Sequence, residues 1–334
     1  MQPSGAMLDP FGSTDRMDLK RRRNISMLYG EQQTSLSNTL RAAMMREGFH
    51  DIRVFADGDA LAEAVRMLDP DIILTDVDLP GRDPCRMVKE IREGRLGRNP
   101  FVPVILTTWN PRESLVQRVV DCGSDDLLIK PLSPNQILMR IGQLVHRRKP
   151  FVVTSDYIGP DRRKAREDEG DLPRLQVPNT LRAKALGETE PSELDETIEA
   201  ALKQINEQRL KRHSLEISFL VQIVVPAYRT GTADAETEDQ LQRMLAVGED
   251  ASRRLRGTRY EHVSEICSTL SIVAERVTRD HPTPSEKDLQ LLPRLAEAMV
   301  IGFNPDQDID RLARQITASV KAYLKESGRA ARAV

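Results

Sequence analysis

Asp71-Ile72-Ile73-Leu74-Thr75-Asp76-Val77-Asp78-Leu79-Pro80-Gly81 runs from a continuous apolar segment straight into two carboxylates and a turn. Its first half has no polar alternation, which is the pattern of a short strand buried on both faces. Leu79-Pro80-Gly81 then breaks the chain direction. Four more short apolar runs flank it: Ile25-Ser26-Met27-Leu28-Tyr29, Ile52-Arg53-Val54-Phe55, Val102-Pro103-Val104-Ile105-Leu106 and Leu127-Leu128-Ile129. Between and after them, apolar residues recur at helical spacing, as in Leu61, Ala64, Val65 and Leu68, or Ile137, Leu138, Ile141 and Val145. Five strand–helix repeats of this length predict a parallel sheet with helices on both faces over residues 24–149.

In such a sheet, ligands bind beyond the carboxyl ends of the strands. The residues expected there are Glu31 and Gln32 after the first strand and Asp76 after the third. Thr107, Thr108 and Trp109 follow the fourth, and Lys130 and Pro131 the fifth. Singly, an Asp at a strand end is a cap and a Lys-Pro is a turn. The joint placement of Asp76, Thr108 and Lys130 is what points to chemistry.

These motifs, in this order and spacing, resemble the receiver domain of two-component response regulators over residues 24–148. The resemblance implies a five-stranded, doubly wound, flavodoxin-like fold. It implies that Asp76 is the phosphoacceptor, with Lys130 pairing with phosphoryl oxygens. Thr108 would bond the phosphoryl group and move inward. Mg²⁺ would be held by Glu31, Asp76 and the backbone carbonyl of Asp78, and the resemblance implies a cis Lys130-Pro131 peptide. The implied donor is a histidine kinase or a phosphotransfer protein. Three residues depart from the family pattern. The acidic pair is Glu31-Gln32, so Gln32 offers a neutral amide to the metal and Mg²⁺ binding is expected to be weak. The usually aromatic switch position is Leu127, and Trp109 stands where a small residue is usual. The alternative reading is therefore a phosphorylation-independent scaffold that keeps only the fold.

Outward from this core the chain changes character. The 334 residues suffice for two domains. Residues 1–23 read as a loose, solvated tail despite the basic run Lys20-Arg21-Arg22-Arg23. Residues 150–190 carry four prolines and a dense charge run, and read as a linker with apolar islands at 151–153 and 157–160. Residues 191–330 read as a helical bundle for interaction or dimerisation. Its longest helix spans about 192–229, and the apolar end Phe219-Leu220-Val221-Gln222-Ile223-Val224-Val225 predicts either the centre of a bundle or a dimer seam. Capping boxes are expected at Thr258-Arg259-Tyr260-Glu261 and Thr283-Pro284-Ser285-Glu286, and a last helix from Asn304-Pro305-Asp306-Gln307.

Composition excludes several classes of function. With 49 basic and 51 acidic side chains the chain is nearly neutral, which argues against a polybasic membrane anchor. Residues 191–334 hold 20 basic and 23 acidic side chains, which argues against an electrostatic DNA footprint. The partner expected for this half is another protein or a second copy of the chain. His213 and His262 are the candidates for a phosphotransfer histidine, but Glu265 and Ile266 follow His262 where that family has Lys and Gly. No nucleotide-binding loop appears, so no enzymatic output is expected. Cys85, Cys122 and Cys267 lie far apart, no apolar run reaches about 18 residues and the N-terminal stretch has no apolar region of the kind a signal peptide needs. The expectation is a cytoplasmic protein.

Overall fold

The third and fourth strands of the sheet are buried along their whole length, as their unbroken apolar runs require. The computed structural model describes residues 19–162, 173–188, 191–305, 311, 314, 316–318, 320 and 321. Most of the tail and the start of the last helix after Pro305 lie outside the described residues. The strands are β1 (Ser26–Gly30), β2 (Asp51–Phe55), β3 (Ile72–Asp76), β4 (Val104–Thr108) and β5 (Asp126–Ile129). They are all parallel, in the order β2-β1-β3-β4-β5. This is the flavodoxin-like order. A short α1 (Leu19–Arg22) precedes the sheet, and α2 (Thr34–Arg46), α3 (Gly58–Leu68), α4 (Pro84–Arg92), α5 (Glu113–Asp121) and α6 (Pro134–Arg147) cover it.

Strand alternation splits the core in two. Met27 and Tyr29 join Leu74, Ile105 and the α6 residues Ile137 and Ile141 in one layer. Leu28 joins Ile73, Val88, Val104, Leu106 and Val119 in the other. Helix starts are fixed by local chemistry. Ser133 and Gln136 form a reciprocal capping box with Pro134 in the first turn of α6.

Of the stretch read as a linker, residues 150–162 and 173–188 are built into the same unit, and the charge run at 163–172 lies outside the described residues. Residues β6 (Phe151–Val153) and β7 (Ile158–Pro160) form an antiparallel hairpin, and α7 (Thr180–Leu186) follows. Phe151 is fully buried between the guanidinium groups of Arg92 and Arg148, 5.4 and 5.1 Å from its ring centre, and meets Phe101 edge-on. The hairpin comes so close that Gly123 and Gly159 touch backbone to backbone. A Cβ on Gly123 would lie 2.4 Å from the Ile158 carbonyl, and its φ of +85° also favours glycine. Leu181 and Ala185 of α7 enter the core layer of α6, and Asn179 both caps α7 and donates to the Leu144 carbonyl at 2.7 Å. Over the described residues the apolar islands outweighed the prolines that suggested a linker. Phe151→Ala should therefore cost about 3–5 kcal/mol, and an unchanged urea midpoint of Trp109 fluorescence would sink that assignment.

The chain divides into two compact units, Met1–Leu202 and Lys203–Val334. The division falls inside α8 (Pro191–Arg229) rather than at residue 190. The second unit continues with α9 (Ala235–Arg254), a 3-10 turn (Glu261–Val263), α10 (Ser264–Arg279) and α11 (Glu286–Phe303). Leu220, Val221, Val224 and Val225 are buried there with Leu241, Val263, Leu270 and Phe303. The apolar end of α8 is thus the centre of the bundle, and the dimer-seam reading loses its basis. Two helix starts lie later than the capping boxes placed them. Thr258 Oγ1 donates back to the Leu255 carbonyl and accepts from Tyr260 N, closing a turn instead of opening a helix. Ser285, not Thr283, caps α11 by accepting from Asp288 N.

Candidate functional site

The parallel register brings three strand ends together. Asp76 closes β3 opposite Thr107, and Thr108 closes β4 opposite Ile129. Lys130 follows directly, and its N–H donates to the Thr108 carbonyl at 2.8 Å. The Lys130-Pro131 peptide is cis. The Lys130 side chain is completely buried, and its Nζ forms ion pairs with both Asp76 Oδ2 and Glu31 Oε2. The other carboxylate oxygens are held by main chain. Gln33 N donates to Glu31 Oε1 at 2.9 Å, and Asp78 N donates to Asp76 Oδ1 at 3.0 Å. Thr108 is buried, and its hydroxyl accepts from Asn110 N at 3.1 Å.

The residues that depart from the family pattern are placed as follows. Gln32 is exposed. Trp109 is half exposed, and its ring centre lies 5.7 Å from Lys130 Nζ, within cation–π range. Leu127 is half-buried against the layer that holds Leu106 and Val119.

The donor set suits a hard cation: two carboxylates, Glu31 and Asp76, and the Asp78 carbonyl. No cluster of three or more His, Cys, Asp or Glu side chains able to hold a metal occurs among the described residues. The oxygens fit Mg²⁺ in kind, with fewer carboxylates than a tight site uses.

One site residue escaped sequence reasoning. Tyr29 is 1% exposed. Its phenol is pushed up by burial and then by the charges of Glu31 and Asp76. The signal was its place at the end of β1, two residues before Glu31.

The buried histidine of the second unit has a structural role. His213 is 1% exposed and its Nε2 lies 2.7 Å from Asp250 Oδ2, so it is closed to a phosphoryl donor. His262 is exposed but sits on the 3-10 turn, not on a helix.

Residues 31–142 match the family model of the response regulator receiver domain, and the C-terminal half has no family-model match. The DNA-binding response regulator MtrA of Mycolicibacterium smegmatis is 30% identical over 136 residues, 40% of this chain and 54% of that protein. The transcriptional regulatory protein CreB of Escherichia coli is 31% identical over 133 residues, 38% of this chain and 54% of that protein. The chain thus spans about half the length of the curated relatives it matches. Among solved structures, a CheY-like response regulator receiver domain protein from Methanospirillum hungatei aligns with a TM-score of 0.33 and 17% identity, over 36% of this chain and 91% of that one.

Proposed function

Taking residues 31–142 as a response regulator receiver domain, we propose that this protein works in a two-component phosphorelay. It accepts a phosphoryl group from a histidine kinase or phosphotransfer protein on Asp76, and its helical unit passes the change to a protein partner. The observation that carries this reading is the convergence of Asp76, Lys130 and Thr108 at one sheet edge. The Asp76 carboxylate attacks phosphorus as the bond to the donor's imidazole nitrogen breaks. Lys130 already lies on Asp76 and supplies a positive charge to the phosphoryl oxygens as they arrive. Thr108 has a hydroxyl engaged only by the Asn110 N–H among its hydrogen bonds, which leaves its proton for a phosphoryl oxygen. Mg²⁺, when bound by Glu31, Asp76 and the Asp78 carbonyl, neutralises charge between carboxylates and phosphoryl group. The receiver is the acceptor in this scheme and carries no enzymatic output. All three cysteines are free and buried, which fits a reducing, cytoplasmic setting.

A specific observation favours the alternative of a phosphorylation-independent scaffold. Lys130 pairs with Glu31 and Asp76 at once, and Gln32 adds no charge, so only a single negative charge is left to attract a metal. A thermal melt of the full chain with Mg²⁺ and beryllofluoride separates the two readings. At a hundred times the dissociation constant, bound ligand stabilises by about 2.7 kcal/mol. A Tm rise that disappears in Asp76→Asn supports the phosphoacceptor; no rise at any Mg²⁺ concentration supports the scaffold. The name of the MtrA relative states DNA binding, whereas the excess of acidic residues over 191–334 favours a protein partner here. A salt-sensitive gel-shift complex would replace the protein partner with DNA.

A further inference from the structure

A cleft of about 230 Å³ is lined by residues from the start of β5, the second half of α6 and the β7 side of the hairpin. Seven of its ten described lining residues follow residue 142, where the match to the receiver family model stops, so the cleft is a feature of this chain's own extension. Its charge is lopsided. Arg140, Arg147, Arg148, Lys149 and Arg162 line it against only two carboxylates, Asp125 and Asp126. Both carboxylates are already taken. Arg148 Nε lies 2.8 Å from Asp125, and Arg140 Nε lies 3.2 Å from Asp126. Arg147, Lys149 and Arg162 have no ion-pair partner among the described residues. Arg162 is held by its Nη2, which donates to the Ser124 carbonyl at 2.7 Å, while its buried Nε has no hydrogen-bond partner among the described residues. Basic residues at a helix C-terminus ordinarily serve the helix dipole, and Arg147 is the last residue of α6. That end carries only about half a negative charge, too little to account for three cations. Leu144 and Pro160 are buried in the lining, and no aromatic ring joins them among the described residues.

We propose that this cleft binds the diphosphate group of a small molecule. A diphosphate carries about three negative charges at neutral pH, which matches the three uncompensated cations. A single phosphate or a carboxylate leaves at least one of them unmatched. Guanidinium forks take phosphoryl oxygens through paired, charge-assisted hydrogen bonds, and Lys149 adds a point charge. The volume far exceeds the ~30 Å³ share of one water and accepts a compact polyanion. The same group occurs in free pyrophosphate and in nucleoside diphosphates. With no ring in the described lining to stack on a base, pyrophosphate should bind at least as tightly as ADP. The acceptor edge does not compete, because Glu31 and Asp76 repel a polyanion there when no metal is bound. Binding makes no demand on Asp76, so the site stands whether or not that residue takes a phosphoryl group.

The test is calorimetric titration of the full chain with sodium pyrophosphate, in metal-free buffer at about 0.15 M ionic strength. One saturable event is expected, weakened at least about tenfold in R147A/K149A, which loses two charge-assisted partners. Both residues are exposed, so this variant should keep the wild-type melting temperature. R147K/K149R keeps both charges and should bind within about threefold of wild type. R53A/R66A removes two exposed charges elsewhere, one from β2 at the sheet edge opposite β5 and one from α3, and should bind like wild type. Equal weakening by R53A/R66A and R147A/K149A would reduce the effect to net charge and overturn the proposal. A titration that never saturates overturns it as well. ADP in place of pyrophosphate separates the two sources. Weaker binding of ADP points to free pyrophosphate, and equal or tighter binding to a nucleotide; both uphold the diphosphate site. Saturable binding of a single-stranded oligonucleotide, with none of pyrophosphate, would assign a nucleic-acid surface instead and overturn the small-molecule site.

Discussion

Arg92→Leu should destabilise the N-terminal unit by about 3–5 kcal/mol, because it breaks a buried charge network by removing one partner. Arg92 is the last residue of α4 and is 1% exposed. Its Nε donates to the Gly123 carbonyl, its Nη1 to the Pro100 and Val102 carbonyls, and its Nη2 to Asp125, all at 2.8 Å. Asp125 also accepts from Val104 N at 2.8 Å and from Arg148 Nε at 2.8 Å. Burial pulls the Arg92 guanidinium down to about 10 against the opposing pull of Asp125, so it stays charged at neutral pH. Leucine fills part of the volume but leaves three carbonyls and a carboxylate short of their donor. With a urea dependence of about 2 kcal/mol per molar, the midpoint read from Trp109 fluorescence should fall by about 2 M. A shift below about 0.5 M would mean that Arg148 and water replace the lost donors.

Asp250→Ala should have a comparable effect on the helical unit, about 3–5 kcal/mol, for the same reason. Asp250 lies on α9 and is a hub. It accepts from Arg209 Nε at 3.1 Å and Arg254 Nε at 2.7 Å, lies 2.7 Å from His213 Nε2 and also pairs with Arg253. Arg209, His213 and Arg254 are all buried. Removing the carboxylate takes from the buried Arg209 and Arg254 guanidiniums the opposite charge they pair with. Burial pushes the Asp250 carboxyl up, but the His213 hydrogen bond and the charges of Arg254 and Arg209 outweigh it and hold the group well below the usual carboxylate range. A depressed carboxyl contributes stability that is complete above its unfolded value of about 4 and drains away as pH falls toward the lower folded value. The wild-type helical unit should therefore lose stability below about pH 4, and Asp250→Ala should show a flatter acid response. Helix melting followed by circular dichroism checks both effects. A variant that melts at the wild-type temperature at pH 7 would show that the arginines are solvated once the hub is gone.

The sheet, its helices and the strand-end positions of Asp76, Thr108 and Lys130 were legible because they follow from local periodicity. An unbroken apolar run makes a doubly buried strand, and the residue after it stands at the edge. Tyr29 was read only as part of the first strand's apolar run, although it stands two residues before Glu31. What the tertiary structure alone decided is which distant groups share a charge. Lys130 meets Glu31 across 99 residues, Arg92 meets Asp125 across 33, and His213 meets Asp250 across 37. No local pattern encodes those pairings, because each depends on where packing leaves a long side chain without water. The same reason explains residues 150–190. The prolines describe the chain in solvent, whereas Phe151, Leu181 and Ala185 find a surface to bury against only once α4 and α6 are in place. Sequence determined the frame and the acceptor edge; packing decided which charges are neutralised inside it, since a buried charge is stable only beside its partner.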